Sequence, residues 1–304
     1  MSAAVAGTVK PADFDAYWNA IDDELARFPI AAEARHTPLH DTEFSTSYDV
    51  ELTGIGPYRL FGFLSIPKGT GPFPALLITP RYGSVNTPAH WDDRQRYVCF
   101  TLVHRGQRLA DKPFAAAYPG LLTVGIDDPE SYIYRSIAAD CIRGLEYLLS
   151  LDGVDPSRVV VVGDDLGIIV ASRRPGTISA LHVTGLMFHR IMDVRNRTDM
   201  YPIEEINDSI RFSADLDTAI ANTVSYFDPQ YHAGKISAPV LVAAGDNNAV
   251  NGPEWLTGLV NSFAGNAELY QLTHEGQRDR DAMDAWLSET MAVEPRPRIW
   301  EISR

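Results

Sequence analysis

The stretch Arg158-Val-Val-Val-Val162, followed at once by Gly163-Asp-Asp-Leu-Gly167, decides how this chain is read. Consecutive valines without polar alternation suit a strand buried on both faces, as in a parallel sheet. A Gly-x-X-x-Gly junction between such a strand and a following apolar segment makes a sharp turn. The glycines Gly163 and Gly167 give that turn its shape. The central residue, Asp165, is expected to stand exposed above the sheet.

Working outward, Phe73–Thr79, Tyr97–Val103, Pro239–Ala244 and Glu268–Leu272 read as further strands. Helical spacing covers residues 11–28, 129–150, 253–264 and 279–291. Strands alternating with helices predict an α/β fold: a mostly parallel central sheet with helices on both faces. Tyr48–Leu52 and Tyr58–Ile66, parted by Gly54-Ile-Gly-Pro57, read as a hairpin. The expectation is one domain over residues 1–304, extended by an N-terminal helix and hairpin. The mostly helical region 190–235 interrupts the alternation and reads as a cap or side insertion.

Composition narrows the function classes. The chain has 304 residues, 45% apolar and 22% charged, an ordinary globular balance. With 26 basic and 40 acidic residues its net charge is −14, which disfavours nucleic acid and anionic membranes as partners. A small-molecule substrate is expected instead. No run approaches the roughly 18 apolar residues of a membrane span. The N-terminus lacks a basic lead-in followed by a cleavage site, so the chain is expected to be cytoplasmic. Cys99 and Cys141 sit in apolar-periodic segments and read as buried free thiols, with too few ligands nearby for a metal site.

Two further residues follow strands at the sheet edge where open α/β sheets place their sites. Gly245-Asp246 follows Pro239–Ala244, and Thr273-His274-Glu275 follows Glu268–Leu272. Asp165, Asp246 and His274 thus stand in the order nucleophile, acid, histidine, and are the candidate catalytic residues.

Several stretches together carry a resemblance: Pro11–Trp18, Arg105-Gly106-Gln107, Tyr132-Ile-Tyr-Arg135, Ser225-Tyr-Phe-Asp228, Gly245-Asp246 and His274-Glu275. In this order they resemble the cephalosporin-C deacetylase and acetyl xylan esterase family of α/β-hydrolases. The resemblance implies an α/β-hydrolase fold, small acyl esters as ancestral substrates, no cofactor, and a ring-shaped homo-oligomer. It also implies that the backbone N–H groups of Tyr82 and Leu166 act as oxyanion donors. This chain departs from the family where Asp165-Leu166 replaces Ser-Gln. It departs again where Pro80-Arg81-Tyr82 replaces His-Gly-Tyr.

Acyl transfer by the family's route needs a hydroxyl that histidine can deprotonate. An aspartate offers other chemistry. It can displace a leaving group at saturated carbon, as in haloalkane dehalogenases and epoxide hydrolases of this fold, although those follow the aspartate with Trp or Arg. It can move protons with His274 in an isomerisation, elimination or cyclisation, with Arg81 holding an anionic group. Alternatively, two carboxylates flanking one imidazole favour the imidazolium, a poor base, and leave a silent binding scaffold.

Other features have structural readings. Arg105, Gly106 and Gln107 brace the loops of the site, and Glu275 supports His274. Tyr132, Tyr134, Tyr226 and Phe227 belong to the core. Glu204, Glu205 and Asp208 form a solvated helix face.

Overall fold

The computed structural model describes residues 8–245 and 251–296. Its strands are β1 (Glu33–His36), β2 (Ser45–Thr53), β3 (Arg59–Pro67), β4 (Phe73–Ile78), β5 (Val98–Val103), β6 (Val154–Gly163), β7 (Ala180–Thr184), β8 (Val240–Ala244) and β9 (Ala267–Gln271). They form one nine-stranded sheet in the order β1-β2-β3-β5-β4-β6-β7-β8-β9. From β5 to β9 the neighbours are parallel, while β1, β2 and β3 join antiparallel at one side. The hairpin is β2–β3, and the valine run lies in β6 at the middle of the sheet.

The helices are α1 (Phe14–Ala26), α2 (Trp91–Arg96), α3 (Ile133–Leu149), α4 (Asp165–Arg173), α5 (Ile191–Val194), α6 (Glu204–Phe212), α7 (Leu216–Ser225), α8 (Gln230–Ala233), α9 (Pro253–Val260) and α10 (Gly276–Met291). Successive strand residues point to opposite faces, so the valine run divides between two cores. Val159 and Val161, with Leu77, Leu181 and Val183, pack in the large core with α1, α3 and α4. Val160, with Leu76, Cys99 and Ala180, packs against Leu287 and Met291 of α10. Each fully buried Val or Leu contributes about 1.5–3 kcal/mol relative to exposure. This two-sided burial is why the run shows no alternation.

Cys99 and Cys141 are buried and free, and Tyr132, Tyr134, Tyr226 and Phe227 are core residues, as expected. The end of α4 is tied down by charge. Arg173 pairs with Asp22 of α1, and Arg174 reaches both Asp22 and Glu146 of α3. The region 190–235 holds α5 to α8 between β7 and β8. One expectation fails there. Glu204 and Glu205 are not on a solvated face: both are buried, and Glu205 accepts the Tyr82 hydroxyl and takes the Leu122 N–H at 3.0 Å. A carboxylate can be buried in this way because both its oxygens are hydrogen-bonded.

Candidate active site

The β6–α4 turn is tight because β4 runs beside it. A side chain at Gly163 would collide with the Thr79 hydroxyl, so only glycine fits. Beyond that, the turn differs from the expectation. No residue from Gly163 to Gly167 has a positive φ, so the strained conformation of an exposed nucleophile is not present. Asp164 is the N-cap of α4, with φ −115° and ψ −143°, and its Oδ1 accepts the Leu166 N–H at 3.0 Å. That is the ordinary work of an aspartate before a helix. It occupies the donor that the resemblance assigned to an oxyanion.

Asp165 is not exposed above the sheet. It is the first residue of α4 and only 1% exposed. Its Oδ2 accepts the Met187 N–H at 2.6 Å and its Oδ1 the Phe188 N–H at 3.0 Å. Both oxygens are therefore spent on the segment that follows β7. The reason is local: without the strained backbone, the side chain points down the helix start toward unpaired main-chain donors, which a buried carboxylate needs.

Burial pushes both carboxyls up, and the Asp164 charge raises Asp165 further. Asp164 rises to about 6, burial being the main cause and the Leu166 N–H and Arg81 opposing it. Asp165 lies well above the usual carboxylate range, through burial and then the Asp164 charge.

Asp164, Arg81 and Tyr82 line one cavity of about 280 Å³, together with the apolar side chains of Leu186, Met187, Met200 and Ile203. Asp165 and His274 are not among its lining residues. The Arg81 side chain makes no ion pair among the described residues, and its charge acts on Asp164. Gln107 fixes the backbone that carries Arg81. Its Nε2 donates to the Arg81 carbonyl at 3.1 Å and the Gly83 carbonyl at 2.8 Å, while its Oε1 accepts the His104 N–H at 3.1 Å. Arg105 grips the buried Asp140 in a two-point ion pair at 2.8 and 2.7 Å and donates to the Ile55 carbonyl at 3.0 Å. Gly106 has φ +87° and lies against Phe114, which leaves no room for a Cβ. The Tyr82 hydroxyl donates to Glu205, and burial with that neighbouring carboxylate raises its pKa.

His274 follows β9, is exposed and has φ +63°. Its N–H donates to Asp279 Oδ2 at 3.1 Å, and the other oxygen of Asp279 takes the Thr273 N–H at 2.8 Å. Glu275 is exposed just before α10, 3.9 Å from Arg278. Asp246 lies outside the described residues. Among the described residues no cluster of His, Cys, Asp and Glu could hold a metal ion.

Sequence reasoning missed Asp164 as the carboxylate facing the cavity. The signal was available, since an aspartate directly before a helix is a cap candidate, but it competed with the turn frame centred on Asp165.

The model of the acetyl xylan esterase family matches residues 5–296. Acetyl esterase Axe7A of Xylanibacter ruminicola is 25% identical over 262 residues, or 81% of this chain. The alignment covers only 58% of that relative's length. Among solved structures, an acetyl xylan esterase from Paenibacillus sp. R4 superposes with a TM-score of 0.82 at 23% identity, covering 93% of this chain and 96% of the other. Acetyl xylan esterase 1 from Thermoanaerobacterium sp. JW/SL YS485 gives 0.78 at 21% identity, with the same coverage of 93% and 96%. These likenesses establish the α/β-hydrolase fold. With nearly its whole length matched by the family model, the chain belongs to the acetyl xylan esterase family.

Proposed function

We propose that this family member has left serine-type ester hydrolysis and performs acid–base chemistry on a small anionic substrate, with Asp164 as the proton-transferring group and Arg81 holding the anion. The observation that carries the reading is the Asp164 carboxylate on the Leu166 N–H. An ester oxygen would have to displace it, and the hydroxyl that would attack is lacking at Asp165. A carboxyl with a pKa of about 6 is largely ionised at neutral pH, yet basic enough to take a proton. The cavity walls are largely apolar, and Arg81, which makes no ion pair among the described residues, suits a carboxylate or phosphate on the substrate.

The reading departs from the expected Asp165-His274-Asp246 centre because neither oxygen of Asp165 is free to attack. The expected substrate remains a small molecule, and the helical segment 190–235 supplies the apolar wall through Met200 and Ile203.

The test uses phenylpyruvate as probe, since it joins a carboxylate, an apolar ring and an exchangeable C–H. In D2O the wild type should accelerate exchange of that C–H. Asp164→Asn should abolish the acceleration, and Arg81→Gln should raise KM more than it lowers kcat. Turnover of 4-nitrophenyl acetate by the wild type that survives Asp164→Asn would place the chemistry elsewhere and defeat the proposal.

A further inference from the structure

A second cavity, of about 330 Å³, shares no lining residue with the first. It lies on the sheet face covered by α2 and α10. Its floor is one row of the sheet: Ile78 is in register with Val162, and Val162 with His182. Leu76 and Leu287 add apolar walls. A histidine in this row is out of place, because every other side chain of the floor is aliphatic.

His182 is 9% exposed, and its Nε2 is buried with no hydrogen-bond partner. An unpartnered buried polar atom is costly to the fold, and a ligand group can recover that cost. Burial, with a smaller contribution from the Arg81 charge, pushes the imidazole down to about 4, so it is neutral at working pH and serves as a hydrogen-bonding group.

The charges at the rim are mostly satisfied. Asp284 binds Arg96 at 2.6 Å and lies 3.5 Å from Arg296. Asp93 binds Arg96 at 3.1 Å, and Asp92 lies 3.2 Å from His90 and 3.6 Å from Arg296. Arg280 is the exception. Its guanidinium lies 3.4 Å from the His90 ring and meets no carboxylate among the described residues. The cavity thus offers an apolar floor, one unspent neutral hydrogen-bonding group and one unspent cation.

We propose that this cavity is a second ligand site, which takes a small, largely apolar carboxylate bearing a hydroxyl, with His182 bonding the hydroxyl and Arg280 the carboxylate. The site is independent of the chemistry assigned to Asp164.

The probe is 4-hydroxybenzoate, titrated calorimetrically into the full chain, with benzoate and methyl 4-hydroxybenzoate as comparators. Removing the hydroxyl or the charge should each weaken binding about tenfold, as expected for the loss of one buried or charge-assisted hydrogen bond. Arg280→Gln should weaken 4-hydroxybenzoate by a similar factor and leave the methyl ester unaffected. His182→Leu should erase the preference for 4-hydroxybenzoate over benzoate. In the wild type, which needs no variant to fold, the ring nitrogens of His182 should shift in ¹⁵N spectra on saturation. Absence of saturable binding at millimolar probe would overturn the proposal. So would a His182 ring that does not respond, or binding abolished by Arg81→Gln and untouched by Arg280→Gln, since that pattern puts the probe in the first cavity.

Discussion

Replacing Asp164 by Asn isolates what the buried carboxylate costs the fold. The asparagine carbonyl can still accept the Leu166 N–H, so the cap persists while the charge goes. In the folded chain the Asp164 pKa is about 6, against an ordinary value of 3.8. A raised folded-state pKa means that the protonated form is the better folder. The contribution is fully present below pH 4 and is lost as pH rises through about 6. A difference of roughly two units at 1.36 kcal/mol each gives a ceiling of about 3 kcal/mol. Because Asp165 shares the electrostatics, a measured value of about 1–3 kcal/mol is expected. The assay is the urea midpoint of both proteins from pH 4 to 8, read as the difference between them. Wild type and variant should be close at pH 4, and the variant should become more stable above pH 6. A difference that stays flat with pH, or a wild type that gains on the variant as pH rises, would refute the reasoning.

Three further outcomes follow from the same turn and its supports. Asp165→Ser should not gain turnover of 4-nitrophenyl acetate and should lose about 2–4 kcal/mol in denaturant melts, because the Met187 and Phe188 N–H groups lose their acceptors. Only the double variant Asp164→Gly/Asp165→Ser, which also uncovers the Leu166 N–H, is expected to show any ester hydrolysis; activity in the single variant would contradict the occupied-donor argument. Gly163→Ala should destabilise by more than about 2 kcal/mol, and combining it with Thr79→Ala should recover part of the loss, since the collision is with the Thr79 hydroxyl. Gln107→Leu removes both bonds to the Arg81 and Gly83 carbonyls and should cost about 1–3 kcal/mol in thermal or urea unfolding, whereas a neutral result would mean that the loop holds itself.

The sequence was most informative where one physical pattern dominated. Valines buried on both faces, the β2–β3 hairpin and the long amphipathic α3 all announce themselves through periodicity. β1, whose residues Glu33–His36 are all exposed, has no apolar pattern to read. α2 is a short polar turn of helix, Trp91–Arg96, with no buried residue. β7 was hidden by His182, which breaks the apolar run of Ala180, Leu181 and Val183. At the site, the chain order and the strand ends were legible, but the side-chain directions were not. Whether Asp164 or Asp165 faces the cavity depends on the backbone angles of one turn and on donors 22 and 23 residues away at Met187 and Phe188. Local pattern does not encode a partner at that distance. Glu205 shows the same limit, because its burial depends on Tyr82, 123 positions earlier.

The division of labour between the two adjacent carboxylates also bears on how such a site can change over time. Asp164 starts a helix and Asp165 fastens the segment after β7, so each carries a task in the fold. A serine placed at position 165 would first lose the fastening, while the Leu166 N–H stayed covered by the neighbour. Uncovering the donor first would remove the cap with no hydroxyl yet in place. Either order passes through a weakened fold, so the two aspartates behave as a latch that opens only when both are changed together.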